Sequence, residues 1–252
     1  MALFVSKDSI VRKIWGKGDT ILFIFAGASA EFALNKAVDW LYFTGRLPAD
    51  PLGRLFSTVS YARQIVFSDF HKALYAIDKI TAIHKGVEAD RGAKIPDWAY
   101  RDVLFMLIDY SIRSFEVLER KLTEVEKAEV FDVFYRVGMR MEITGLPQNY
   151  KDWQIMREKQ LNEDLLFSDF TGDLYKQYKK HLGTFRFVLL KQAQVLVAPW
   201  QVQHLLKLGT IRYLTPVLKA YRFASFLGLD KTLRKVILPK KYKSEIRNLD
   251  RV

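Results

Sequence analysis

The chain has 252 residues, of which half are hydrophobic and 14% are aromatic, and it contains no cysteine. This composition excludes a disordered chain, and the lack of cysteine excludes disulfides, thiolate-bound zinc, iron–sulfur clusters and cysteine nucleophiles. The formal net charge is +12, and half of it lies after Asp230, where eight lysines and arginines stand against two acids. We therefore predict one domain over residues 1–252, with a basic tail from about residue 231.

Apolar residues recur at a spacing of about 3.6 nearly throughout, and no alternating strand pattern interrupts them. The sequence therefore predicts an all-α fold of about nine to ten helices around a central apolar helix and a ligand pocket. The central helix is predicted at 20–44, with Asp19 as its cap. The other predicted helices are 9–15, 51–68, 69–86, 97–122, 124–142, 150–167, 171–182, 185–197, 200–208 and 211–227.

The localisation of the chain is predicted from its apolar runs and its tail. The longest apolar run, 21–30, ends at Glu31, well short of the ~20 residues that span a bilayer. No secretory cleavage pattern follows the first residues. We expect a cytoplasmic protein whose basic tail either makes a peripheral contact with anionic lipid or has no partner. Because no recognition motif accompanies the tail, no nucleic-acid partner is expected.

His84 is the first candidate for chemistry. At helical spacing it shares a face with Ala73, Ile77, Ile80 and Val87, so its imidazole is expected to point inward. A core histidine that is hydrogen-bonded to a carbonyl is the ordinary interpretation, and an iron or haem ligand is the sharper one. A di-iron carboxylate site is not expected, because no histidine has a glutamate three residues before it.

A polar stripe precedes His84 by one predicted helix. Arg54, Ser57, Thr58 and Tyr61 lie at i, i+3, i+4 and i+7 of that helix. Haem needs an inward histidine, an apolar slot, and a few cations or hydroxyls for its propionates and for oxygen. The stripe is therefore either a solvated face or a polar wall beside a haem.

The other histidines and one charged pair have simpler interpretations. His71 and His181 are expected at the surface, and His204 is a reserve ligand. Asp109 and Arg113 stand at i, i+4, where we expect a helix-stabilising ion pair.

The order of three segments carries a resemblance. DPLGRLFSTVSYARQIVF, ITAIHKGVEADRG and IPDWAYRDVLFMLIDYSIRSFEVLERKLTEVE resemble the family of the bacterial latex-clearing protein (rubber oxygenase) and the fungal MpaB oxygenase of mycophenolic acid biosynthesis. The resemblance extends over roughly residues 9–208 and is strongest over 50–126. It implies an all-α protein that binds haem b and uses dioxygen to cleave carbon–carbon double bonds in isoprenoid chains.

The resemblance also implies roles for the site residues. His84 is expected to ligate the iron, with Arg54, Thr58 and Tyr61 binding the haem beside it. Arg54, Thr58 and Ser57 are expected to act catalytically on the oxygen side, and Ser57 stands where rubber oxygenase has a lysine. Leu104 stands where many relatives have a second histidine. If that histidine is the iron ligand, this chain binds no haem.

The sequence and the resemblance are therefore compatible with three functions. The first is a haem b-dependent oxygenase that oxidises or cleaves a carbon–carbon double bond in an apolar, isoprenoid or lipid-like substrate. The second is a haem or isoprenoid carrier at a membrane surface, without turnover. The third is a cofactor-free all-α interaction protein.

Overall fold

The structure, a computed structural model, describes residues 2–45 and 49–209, which form ten α-helices and no β-strand. The all-α prediction is therefore confirmed over this part of the chain. The helix predicted at 211–227 and the basic tail lie outside the described residues. The helices are α1 Ile10–Trp15, α2 Gly18–Leu34, α3 Asp39–Phe43, α4 Pro51–Phe67, α5 Phe70–Arg91, α6 Asp97–Leu118, α7 Glu124–Arg140, α8 Tyr150–Glu163, α9 Asp169–Val197 and α10 Trp200–Leu205.

Side-chain caps explain why several helices begin where they do. The carboxylate of Asp50 accepts the Gly53 N–H at the start of α4, and that of Asp69 accepts the Lys72 N–H at the start of α5. Thr123 opens α7 with a reciprocal capping box. Each cap satisfies N–H groups that have no partner inside the first turn. These starts agree with the predicted ones because capping is a local property of the sequence.

The long helix predicted over 20–44 is wrong, since α2 ends at Leu34 and α3 is a separate short helix. Asn35 has extended backbone, and its side-chain oxygen accepts the Ala37 N–H at 2.8 Å. This local hydrogen bond competes with continuation of the helix. The cap is also corrected, because Lys17 is the N-cap of α2 and Asp19 lies within its first turn.

Two other boundaries concern glycines. Helix α5 does not stop near Gly86 but continues to Arg91, where Gly92 ends it with φ 67°. Helix α9 covers both predicted helices 171–182 and 185–197, but Gly183 (φ 74°, ψ 166°) is non-helical within it. A break therefore does lie between the two predicted segments.

Helix α2 packs against α6 and α9 and also contacts α1 and α10. Ile21, Ile24 and Leu34 on α2 are fully buried. Gly27 permits the close approach to α6, because a β-carbon there would overlap the ring of Tyr110. The burial of so many α2 side chains follows from a helix that is apolar on nearly every face.

A buried ion cluster joins α2, α6 and α8. Arg157 donates from Nη2 to Glu31 Oε2 at 2.7 Å and to Asp109 Oδ2 at 2.8 Å. Tyr110 donates its hydroxyl to the same oxygen of Glu31 at 2.9 Å. The predicted pair between Asp109 and Arg113 is also present, at 2.7 Å. The cluster fixes three helices relative to one another, since each buried charge needs its partners.

Over residues 2–45 and 49–209, no helix combines the length and the apolar character needed to cross a bilayer.

Candidate functional site

A cavity of about 680 Å³ lies among the helices and is lined by residues of α2 to α7 and α9. Its walls are mostly aliphatic and aromatic, with Phe23, Phe32 and Leu107 among them. Its volume lies within the ~300–1,000 Å³ that is usual for sites enclosing small molecules and cofactors. An apolar molecule of cofactor size therefore fits this site better than a highly charged one.

All five predicted site residues line this one cavity: Arg54, Ser57, Thr58, Tyr61 and His84. The first four come from one face of α4, and His84 comes from α5, which packs against α4. Ser57 is exposed, whereas the other four are half-buried. The stripe is therefore neither fully solvated nor fully buried, and Ser57 marks a place where the cavity opens to solvent.

Two of these residues also contact each other through the backbone. The hydroxyl of Thr58 donates to the carbonyl oxygen of Arg54, one turn earlier, at 3.2 Å. This bond holds the threonine side chain against its own helix. Thr58 can still accept a hydrogen bond from a ligand in the cavity through its oxygen lone pairs.

The imidazole of His84 is held neutral. Its Nδ1 atom is buried and has no hydrogen-bond partner, and its ring meets the ring of Tyr100 edge-on with centroids 5.2 Å apart. Burial, together with the nearby positive charge of Arg54, lowers the pKa of His84 to about 4, although Glu88 acts in the opposite direction. At neutral pH the ring therefore keeps a nitrogen lone pair, as a metal ligand must.

Glu88 lies one turn beyond His84 on α5 but is engaged elsewhere. One of its oxygens, Oε1, accepts the Ile95 N–H at 2.9 Å and the Tyr100 hydroxyl at 3.1 Å. Burial, followed by the Glu88 charge, raises the pKa of Tyr100 well above its usual value. The Tyr100 phenol therefore stays protonated and oriented beside the imidazole.

The side chains at this site fit haem better than a bare metal ion. Among the described residues, no group of three or more histidine, cysteine, aspartate or glutamate side chains is placed to hold a metal. A porphyrin brings four nitrogen ligands of its own and needs one from the protein. The neutral imidazole of His84, whose Nδ1 atom has no hydrogen-bond partner, suits that single role in an apolar cavity.

The remaining histidines do not line the cavity. His204, the reserve ligand, is exposed, with its ring 6.0 Å from that of Trp200. His71 is exposed at the start of α5, and His181 lies half-buried on α9. Leu104, by contrast, is buried and lines the cavity from α6.

Besides Asp19, which was predicted only as a helix cap, sequence reasoning missed one charged cavity residue, Arg186. It lies on α9 beyond Gly183, lines the cavity, and has a buried Nε atom without a hydrogen-bond partner. The signal in the sequence is a single arginine within the apolar stretch TFRFVLL. The guanidinium group of such an arginine either extends to solvent or binds a buried anion.

Comparison with known proteins shows a similarity at the level of the family. A family model described as "ER-bound oxygenase mpaB/B'/Rubber oxygenase, catalytic domain" matches residues 13–237. No curated protein and no solved structure matches the chain significantly. The family match covers most of the chain, including every residue placed in the cavity above.

Proposed function

Since the chain belongs to the mpaB/rubber oxygenase catalytic-domain family, we propose that it is a haem b-dependent oxygenase. Its substrate would be apolar, isoprenoid or lipid-like, and the reaction would oxidise or cleave a carbon–carbon double bond. In the cleavage, dioxygen contributes one oxygen atom to each of two carbonyl products, so no further oxidant is needed.

One observation supports the proposal most directly. The neutral imidazole of His84 has an unpartnered nitrogen in an apolar cavity of about 680 Å³, and Arg54 and Thr58 line the same cavity. A buried polar atom without a partner costs about 1–3 kcal/mol. A ligand that engages the imidazole relieves this cost.

Each side chain has a role in the proposal. Bound haem would supply the dioxygen chemistry that no amino-acid side chain provides. His84 would hold its iron, and Tyr61 would line the haem site. Arg54 and Thr58 would place a positive charge and a hydroxyl where negative charge develops on oxygen. Ser57 would supply a further hydroxyl near the opening.

The apolar walls have a role of their own. They exclude water and orient a hydrocarbon chain, which offers no polar group for recognition except its double bonds. This is the property that an enzyme acting on isoprenoid or lipid chains requires. Contact with a membrane through the basic tail remains a prediction.

The test is absorption spectroscopy of the full chain after expression with added haem precursor. We expect a Soret band that His84→Ala abolishes, because the proposed iron ligand is then missing. The matched control is His71→Ala, which removes an exposed histidine from the same helix and should leave the band unchanged. A chain that takes up no haem, or a band that survives His84→Ala, would contradict the proposal.

A second measurement separates an oxygenase from a carrier. Oxygen uptake is followed after an unsaturated isoprenoid such as squalene is added to the haem-loaded protein. Uptake that is lost in Arg54→Gln supports turnover at this site. A haem-loaded protein that consumes no oxygen with unsaturated isoprenoids or unsaturated lipids would instead be the carrier.

A further inference from the structure

We propose that Arg186 binds a carboxylate in the cavity, and that the substrate is a long unsaturated chain ending in a carboxylic acid. The substrate part of this inference rests on the proposed function, whereas the binding of a carboxylate does not require haem.

The Arg186 side chain has an unsatisfied hydrogen-bond donor. Its Nε atom is buried and has no hydrogen-bond acceptor. The guanidinium group stays charged at any physiological pH, so it cannot relieve its burial by losing a proton. Its planar arrangement of N–H donors matches the two oxygens of a carboxylate. A carboxylate in the cavity would therefore satisfy a donor that the described protein leaves unsatisfied.

The balance of charge in the cavity also favours an anionic ligand. Among its described lining residues, two arginines, Arg54 and Arg186, are accompanied by a single carboxylate side chain, Asp19. The remaining walls are largely aliphatic and aromatic. This lining suits one anionic end on an otherwise apolar molecule.

The backbone of α9 places Arg186 at the cavity wall. Gly183 has φ 74° and ψ 166° and interrupts the helical geometry of α9. On both sides of this break α9 contributes to the cavity wall, with Leu182 before it and Arg186, Leu189 and Leu190 after it. The break changes the direction of the helix, and the arginine lies within its first turn beyond the glycine.

A carboxylate can come from a fatty-acid-like substrate or from a propionate of the porphyrin. Both would form the same charge-assisted hydrogen bonds with a guanidinium group. The experiment therefore has two arms, and each compares a ligand that carries a carboxylate with a matched ligand that lacks it.

The first arm measures the affinity of the purified full chain for oleate and for oleyl alcohol by calorimetric titration. These probes share one unsaturated chain and differ at the end group. We expect oleate to bind about tenfold more tightly or better, since only its carboxylate forms charge-assisted hydrogen bonds with the guanidinium group. Arg186→Gln should remove this preference and leave the affinity for the alcohol unchanged.

Two further variants keep the first arm interpretable. Arg186→Lys retains the charge without the planar fork, and we expect it to retain part of the preference. Lys180→Gln removes a charge from an exposed position on the same helix and should have no effect. An oleate preference that persists in Arg186→Gln, in a variant with wild-type circular dichroism, would overturn the assignment of the substrate.

The second arm compares haem b with its dimethyl ester, whose propionates are blocked. If Arg186→Gln weakens only the binding of haem b, the carboxylate is a propionate and the substrate class is overturned. If Arg186→Gln changes neither the preference for oleate over oleyl alcohol nor that for haem b over its dimethyl ester, the carboxylate site itself is overturned. The first arm needs no haem, so a protein without a Soret band that still prefers oleate would contradict the proposed function alone.

Discussion

At the scale of single residues, two buried titratable groups near the site are shifted in opposite ways. Burial holds His84 neutral, with its pKa lowered to about 4. Burial also raises the pKa of Asp102 to about 7, although the hydrogen bond from Asn35 acts in the opposite direction. As the pH rises from about 4 to 6.5, the His84 shift makes folding more favourable, because the unfolded chain binds more protons. The raised pKa of Asp102 has the opposite consequence. As the pH rises from about 4 to 7, it makes folding less favourable, because in this range the folded chain binds more protons than the unfolded chain.

We predict that Asp102→Asn stabilises the protein at alkaline pH. Above pH 7 the wild-type carboxylate is ionised while buried, whereas an amide is not, so the variant should gain about 1–3 kcal/mol at pH 8. The gain should shrink toward pH 5, where the wild-type group is protonated. Urea unfolding at both pH values measures it. The control is Asp90→Asn, at an exposed position on α5. A gain in Asp102→Asn that does not depend on pH would contradict the raised pKa of Asp102.

At the scale of the element, α9 contains two glycines with different roles. Gly183 has a positive φ with an extended ψ, a region that side-chain-bearing residues rarely occupy. Gly172, near the start of the same helix, has no positive φ, and a β-carbon there would meet no atom within 4 Å. The two sites therefore form a matched pair on one helix.

We predict that Gly183→Ala destabilises the protein by about 1–3 kcal/mol, because alanine is strained in this conformation. Gly172→Ala should instead stabilise it by about 0.5–1 kcal/mol, because glycine loses more backbone entropy in a helix. Urea unfolding of the two variants gives both values. Equal effects of the same sign would show that the break at Gly183 is not a conformational requirement.

At the scale of the whole molecule, the buried ion cluster is a polar contact between distant parts of the described chain. Arg157 on α8 is 4% exposed, and it pairs with Glu31 on α2 and Asp109 on α6. Both acids belong to helices that also line the cavity. The cluster therefore helps to hold the cavity walls in place.

We predict that Arg157→Met destabilises the protein by about 3–5 kcal/mol, because it leaves the buried carboxylate of Glu31 without its cation and that of Asp109 with Arg113 alone. Lys159→Met, on the same helix, removes one member of an exposed pair with Glu163 at 3.8 Å and should change stability by less than about 0.5 kcal/mol. The free energy of unfolding in urea distinguishes the two. Similar losses in both variants would show that the cluster contributes no more than a surface pair.

The sequence by itself determined the features that depend on neighbouring residues. The period of apolar residues identifies helices, the caps at Asp50, Asp69 and Thr123 locate their starts, and the spacing of the α4 stripe places its polar side chains on one face. The expectation that Arg54, Ser57, Thr58, Tyr61 and His84 lie together came from the family resemblance as well as from this spacing. Their roles remain predictions.

Only the tertiary structure decided which faces meet. Glu31 was read as the end of an apolar run, yet it pairs with Arg157, 126 residues away. Arg186 reaches the cavity because α9 breaks at Gly183 and packs against α2. Helical periodicity defines a face but not its partner, because partners are selected by how all the helices pack together. For this reason the helices and the α4 stripe could be predicted, whereas the ion cluster and the place of Arg186 in the cavity could not.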